Sequence, residues 1–297
     1  MDTLIPLPEY PARGSKVAFR DAHILPGGQV ATAIAACQQW GLSTRYVGKV
    51  GDDHAGRLHR DEFDRLGVEA HLLIAKNCKS QQAFIIVDDT GERTVLWKRD
   101  RRVALRSGEL QRQWITDAKA LHVDGHDTEA AATAAEWARA SGIPVVADLD
   151  ELYPGVEALL KNLDYFVASR DIPGRMTGES DLRKSLPEVH KRYGFRLTAA
   201  TLGEEGVLAW NGARFYYAAA YCVKVVDTIG AGDTFHAGFI YGLLQGWPLQ
   251  RQLDFGCAAA ALNCTGMGAR GGIQGVARIE ELMARGARHV RASVAGT

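Results

Sequence analysis

Near residue 230 a run of small residues meets an acid: Gly230, Ala231, Gly232 and Asp233, inside VKVVDTIGAGDTFHAGFIYGLLQGWP (223–248). Phe235, Phe239 and Leu243 follow at intervals of four, the spacing of one buried helical stripe, and Gly246 and Pro248 stop that helix. A helix that starts near Gly232 or Asp233 leaves the backbone N–H groups of residues 230–233 without helical acceptors. Together with the helix dipole they form an anion hole. The glycines let a ligand approach the backbone closely. A carboxylate in such a place would repel an anion, so Asp233 suits a different role. It can hold a neutral hydroxyl beside the anion and take its proton as the oxygen attacks. Amides that stabilise a moving phosphoryl group, next to an acid that orients the nucleophile, are the parts of phosphoryl transfer to an alcohol. Two other readings share the pattern. Asp233 could simply cap its own helix. A dinucleotide fold would place G-x-G-x-x-G on the first βα turn, with an acid about 20 residues on; here the glycines lie near the C-terminal end and Phe235 takes the third glycine position.

The elements that must carry this turn follow from periodicity. From about residue 115 the chain alternates strand and helix. The strands are KALHVDG, IPVVADL, LDYFVAS and FRLTAAT, followed by VLAW and FYYAA. The helices are DTEAAATAAEWARASG, GVEALLKN and LRKSLPEVHKRYG. That alternation is the sign of a parallel sheet with crossover helices. Upstream, PGGQVATAIAACQQWG predicts a helix with Val30, Ala33, Ile34 and Cys37 on one face and Gly41 at its end. HAGRLHRDEFDRLG predicts an amphipathic helix with Leu58 and Leu66 inward, ended by Gly67. The stretch QQAFIIVDDTGERTVLWKR reads as a hairpin around Asp89-Thr90-Gly91, and residues 1–25 as short strands broken by Pro6, Pro8 and Pro11. The C-terminal part is helical. One α/β domain over 1–297 is expected, with the hairpin and the N-terminal strands forming a small appended sheet.

Bulk properties exclude several classes. In 297 residues Lys+Arg and Asp+Glu are both 35, so there is no excess cation for general phosphate-backbone binding and no nucleic-acid partner is expected. The five cysteines, Cys37, Cys78, Cys222, Cys257 and Cys264, are scattered without a CxxC, which predicts reduced thiols rather than a disulfide framework or a zinc site. No apolar run reaches the roughly 20 residues that span a bilayer, and MDTLIPLPEYPARG lacks a signal-peptide core, so a cytoplasmic protein with no membrane partner is expected.

Three blocks together carry a resemblance. The run DTIGAGDTFHAGF resembles the C-terminal signature of the ribokinase-like (PfkB-type) carbohydrate kinases. PGGQVATAIAACQQWGLSTRYVGKVGDDHAG resembles their N-terminal signature, and TLGEEGVLAW their nucleotide loop; the order and spacing match across nearly the whole chain. The resemblance implies a Rossmann-like three-layer α/β/α domain with a mostly parallel central sheet and a small β-sheet lid from about 1–25 and 79–100. It also implies a phosphotransferase that uses ATP and Mg2+ on a hydroxymethyl group of a small sugar or sugar derivative. A nucleoside or sugar-phosphate kinase of the same family, or a weakly catalytic sugar- or nucleotide-binding sensor, are the other readings.

Position by position, the resemblance implies that Asp233 is the base and that the amides of Gly230, Ala231, Gly232 and Asp233 hold the phosphoryl group. Asp227 and the Ile229 carbonyl match a monovalent-cation (K+) site of some members, although Asp227 could also only cap a turn. Thr201, Gly203 and Gly206 would border ATP. Cys257 and Gly268 would lie near its adenine, while Cys257 and its alanines also read as close-packed helix core. On the sugar side, Asp2, Gly27 and Gly28 would face hydroxyls. Thr32 stands where many relatives have an asparagine, and Arg99 stands where some sugar-acid and hexose kinases place a substrate arginine; the rest of KRDRR (98–102) reads as a solvated face.

Two departures are visible. The strand that precedes the substrate acid in relatives is missing, so either the true start lies upstream of Met1 or the central sheet would expose an unpaired edge; the first is the expectation. The family's N-x-x-E, which organises magnesium, is replaced by Ser169 and Ile172, leaving Asp171 as a substitute after a small shift. The lid is apolar on both arms (Phe84, Ile85, Ile86, Val87, Val95, Leu96, Trp97), which suggests a homodimer formed through it.

Overall fold

The computed structural model describes residues 1–88 and 93–290; the hairpin turn Asp89-Thr90-Gly91 lies outside them. The chain divides into two compact units. The first comprises Met1–Ala104, Val223–Thr234 and Leu262–Gly275, and the second comprises Leu105–Cys222, Phe235–Ala261 and Val276–Thr297. Each is described by itself.

The second unit is built on a six-stranded sheet. Strands β7 (Leu121–Asp124), β8 (Val145–Leu149), β9 (Tyr165–Ser169) and β10 (Leu197–Thr201) run parallel, and β11 (Val207–Trp210) and β12 (Phe215–Ala218) add antiparallel at one edge. Strands buried on both faces read as continuous apolar runs, and all five residues of β8 are buried. Alternate side chains face opposite layers. Val145, Ala147, Leu149, Phe166 and Ala168 pack with Ala134, Ala135 and Ala138 of α4 (Thr128–Ala140) and with Leu159 and Leu160 of α5 (Val156–Leu160). On the other face Tyr165 meets Phe239 of α8 (Ala231–Leu244) at 5.5 Å between ring centroids. The parallel sheet with crossover helices expected from the alternation is therefore present, in the three-layer α/β/α arrangement that the resemblance implied. On this face α8 also packs closely on α9 (Leu249–Asn263), because a Cβ on Gly238 would lie 2.8 Å from the Gly256 Cα. Among the described strands β7 pairs only with β8 and forms an edge.

The first unit carries the small sheet. Its order is β2-β1-β5-β6, from β1 (Asp2–Pro6), β2 (His23–Leu25), β5 (Gln82–Val87) and β6 (Arg93–Lys98). Residues 1–25 and the hairpin arms thus share one sheet, in which β1 runs parallel to β5. Strand register sorts its two faces. Asp2, Leu4, Ala83, Ile85, Leu25 and Trp97 share one, and Thr3, Phe84, Ile24 and Leu96 the other. On the first face Leu4, Ile85 and Val87 are buried with Ile229 and Ala269. The unit also contains α1 (Gln29–Gln39), α2 (His54–Leu66) and a parallel pair, β3 (Arg45–Gly51) with β4 (Glu69–Ala75).

Two local expectations need correction. On α2 the large buried side chain is Phe63, 1% exposed with its ring centroid 4.7 Å from that of Tyr46; Leu66 packs inward against the same cluster as expected, while Leu58 is only half-buried. An aromatic side chain carries more apolar surface than leucine, so it takes the inward position. The helix of the Gly-Ala-Gly turn begins at Ala231, slightly earlier than its stripe suggested, which sets Asp233 inside the first turn.

Candidate active site

The Gly-Ala-Gly-Asp turn is held by two buried side chains. Asp227 is 2% exposed; its Oδ1 accepts from the Ile229 N–H at 2.8 Å and its Oδ2 from the Gly268 N–H at 2.7 Å. Asn263, fully buried, donates from Nδ2 to the Ile229 carbonyl at 3.1 Å and to the Ala269 carbonyl at 3.0 Å. These bonds fasten the turn to the glycine-rich loop 264–275. Gly230 has φ +76°, and a Cβ there would lie 2.2 Å from the Ala269 carbonyl oxygen, so nothing larger than glycine fits without moving backbone. Gly232 is the opposite case: it is exposed, and a Cβ would meet nothing within 4 Å. One glycine serves packing and the other leaves space beside the helix tip. The Ala231 N–H bonds the Thr228 carbonyl at 3.3 Å, and Thr234 closes the first helical turn onto the Gly230 carbonyl through both its N–H and its hydroxyl. Asp233 is half-buried in that turn.

The residues expected on the sugar side form a second group in the same unit. A Cβ on Gly27 would fall 1.9 Å from the Asp2 Oδ2, so the Asp2 carboxylate packs directly on this backbone. Burial pushes the Asp2 carboxyl up, opposed by the α-ammonium of Met1 and by Arg270. Gly28, at φ +97°, turns the chain into α1. Thr32 is fully buried, and its Oγ1 lies 3.5 Å from the Arg270 Nε. It thus reaches the site through an arginine that the residue pattern did not single out. Arg270 also donates from Nη2 to the Gly27 carbonyl at 3.1 Å. The hint in sequence was thin: one cation inside the small-residue loop GMGARGG that also holds Gly268. A loop arginine ordinarily reads as solvent-exposed. Arg99 follows β6, and its Nη2 donates to the Val103 carbonyl at 3.4 Å.

The GDD turn of the N-terminal signature is a brace. Asp53 caps α2, accepting from the Gly56 N–H at 3.0 Å, and it also accepts from the Ser80 hydroxyl at 2.6 Å and the Ser80 N–H at 3.1 Å. Ser80 Oγ in turn accepts from the Gly51 N–H at 2.9 Å. Asp52 accepts from the N–H groups of Asn77 and Cys78. Both acids tie the β3–α2 turn to the segment leading into β5. Burial opposes the Asp53 charge, but the bonds from Ser80 and Gly56 hold its carboxyl below the ordinary value.

The expected nucleotide residues of the second unit gather around one backbone segment. Thr201 ends β10, and Gly203 and Gly206 take positive φ in the turn to β11. A Cβ on Gly206 would lie 2.0 Å from the Ala218 carbonyl, the group to which the Cys257 thiol donates at 3.6 Å. Cys257 is buried, and burial pushes its thiol up to about 12. Its place beside the Gly238–Gly256 contact agrees with the close-packed-core reading. Gly268 belongs to the first unit, where its N–H serves Asp227 and a Cβ would lie 2.5 Å from the Leu25 side chain.

The residues expected at cations are engaged with protein groups, although an oxygen that accepts one hydrogen bond keeps a second lone pair. Both Asp227 carboxylate oxygens and the Ile229 carbonyl already accept protein hydrogen bonds. Asp171 pairs with Arg175 at 3.2 Å. Among the described residues no group of three or more His, Cys, Asp or Glu is placed to hold a metal ion. No step below runs through a protein-bound cation. Among the described residues no helix is long and apolar enough to cross a membrane.

The sequence model of the pfkB family carbohydrate kinases matches residues 2–274. An uncharacterized sugar kinase of Archaeoglobus fulgidus is 29% identical, covering 78% of this chain and 96% of its own. The ATP-dependent ribose-1-phosphate kinase of Halopiger xanaduensis is 27% identical over 91% of this chain and 90% of its own. A crystal structure from Agrobacterium tumefaciens, provisionally assigned as a ribokinase, superposes with a TM-score of 0.88 at 28% identity, covering 95% of this chain and 94% of that one. The fold is ribokinase-like, and the chain belongs to the pfkB family of carbohydrate kinases.

Proposed function

We propose that this carbohydrate kinase transfers the terminal phosphoryl group of ATP to a hydroxymethyl oxygen of a small sugar or sugar derivative, with Asp233 as the base. The observation that carries the reading is the turn itself. It is fixed by Asp227 and Asn263, packed shut at Gly230 and open at Gly232, with a half-buried carboxylate one residue further on. ATP, which the Halopiger relative is named for using, would supply the electrophilic phosphorus when bound. The amides at the tip of α8 would bind the phosphoryl oxygens, where their dipoles require no reorganisation as charge develops. Asp233 would hold the acceptor hydroxyl and take its proton. A carboxylate at a helix N-terminus is a weak base, which suffices when the transition state is loose and the proton leaves late.

The four-stranded sheet fits the role of a lid within a single kinase domain over 1–297. Asp2, on its inner face, grips sugar hydroxyls, and closure excludes water that would otherwise hydrolyse ATP. On its outer face Ile24, Phe84 and Leu96 lie in one register row and are 60%, 50% and 58% exposed. An apolar row of this kind supports a homodimer formed through the lid.

Asp233→Asn tests the central claim. It keeps the shape and removes the base, so kcat should fall by about 10²- to 10⁴-fold while calorimetry shows nucleotide binding within a few-fold of the parent. Parental turnover in that variant removes the role given to Asp233.

A further inference from the structure

Arg270 is a buried cation that phosphoryl transfer by Asp233 and the helix-tip amides does not use. Its side chain is 8% exposed. Nη2 is satisfied by the Gly27 carbonyl, and Nε faces Thr32 at the limit of hydrogen-bond length. Nη1 has no hydrogen-bond partner among the described residues. The nearest carboxylate, Glu62, stands 3.7 Å from Nη1 and is already committed to a two-bonded pair with Arg65, at 2.8 Å and 2.9 Å. A guanidinium stays charged and carries only donors. A buried charge with an unmet donor is costly, and such a donor is satisfied by an acceptor that arrives with a ligand.

The neighbouring groups indicate what that acceptor is. Asp2 offers carboxylate acceptors, which suit sugar hydroxyls as donors. Asp233 needs a hydroxyl as well. Arg270 is the opposite pole of the same unit, bonded to the Gly27 backbone on which the Asp2 carboxylate packs. Its fork geometry matches a carboxylate or a phosphate far better than a hydroxyl. Resting on the sugar-kinase reading above, we propose that Arg270 binds an oxyanion on the substrate, so that the enzyme acts on a sugar bearing a carboxylate or a phosphate rather than on a neutral sugar. Thr32, buried beneath Nε, would position the guanidinium and not touch substrate.

Matched substrates provide the test. The full chain is assayed with ATP on an aldose, on the corresponding aldonate and on the corresponding sugar 1-phosphate, with binding of each followed by calorimetry. Wild type should favour one charged member over the neutral sugar by about 10²-fold or more in kcat/KM, and the favoured member tells carboxylate from phosphate. Arg270→Gln should lose about 10²- to 10³-fold on that substrate and clearly less on the neutral sugar, which loses only the bond that holds the Gly27 carbonyl. Arg270→Lys, which keeps charge without the fork, should fall between. Wild-type preference for the neutral sugar overturns the proposal, as does an equal loss on all three substrates in Arg270→Gln, since a mere brace for the Gly27 loop would behave that way. If no sugar is phosphorylated but a charged sugar binds and Arg270→Gln abolishes that binding, the transfer reading fails and the role of Arg270 stands. If no charged sugar binds, the proposal fails.

Discussion

The two units are stabilised by different means. The six-stranded sheet is an apolar construction. Its central strands β8, β9 and β10 are largely buried and Phe166 stacks on Phe195 at 5.4 Å, so most of the contacts that fix it are non-directional, with the buried His236 beside Asp148 at 3.5 Å as a polar exception. The buried hydroxyls of Thr198 in this sheet and of Ser185 on the helix Leu182–Tyr193 have no hydrogen-bond partner among the described residues. In the unit that carries Asp233, buried polar groups that reach across the chain hold the turns themselves. Asp227 bonds a residue 41 positions away, Asn263 one 34 away and Ser80 one 27 away. Burial of apolar area makes a scaffold compact, but it tolerates sliding. A charge-assisted bond near 2.7 Å fixes an amide to within tenths of an ångström. A turn with the role proposed here, holding N–H groups in place for a phosphoryl group, would need the second kind of support.

Substitutions should separate the two regimes. Phe166→Ala empties a fully buried site and should cost about 4 kcal/mol. Chemical denaturation should show that loss while kcat/KM of the folded fraction holds; a matching loss of activity would break the distinction. Gly230→Ala should cost about 3 kcal/mol, because a positive φ and a backbone carbonyl at 2.2 Å both oppose the methyl group. It should also impair transfer. Gly232→Ala is its control: the methyl enters open space, so stability should hold or rise slightly, while kcat/KM falls by about 10²-fold if ligand approaches there. The smallest effect is expected at the brace. Asp53→Asn should cost about 1 kcal/mol at neutral pH. Because the folded carboxyl lies below the ordinary 3.8, its contribution is fully present above that value and fades as pH falls through the lower, folded one. The gap in Tm between parent and variant should therefore close in acid; a gap that widened would contradict the assigned bonds.

Much of the frame was legible in the residues. The β/α alternation after residue 115, the hairpin arms and the helix after the Gly-Ala-Gly turn all follow from local period and turn chemistry, and each forms close to where it was expected. The GDD turn was legible as a motif but not as a brace, because its partners lie on a segment 25 to 27 positions away. The acids of the candidate site, Asp2 and Asp233, were named from sequence. Arg270 was not, since nothing in a one-dimensional pattern marks a loop arginine as buried.

What the sequence determined by itself is therefore the set of elements and the chemistry of a helix tip, which depend on neighbours within a turn or two. Only the tertiary structure decided that Asp227 spends both oxygens on amides, that Asp2 lies on Gly27 and that Arg270 is buried against a carbonyl 243 positions away. Burial and pairing of a polar side chain are properties of the segments packed around it. Where those segments are remote in the chain, their contacts exist only once the fold has closed.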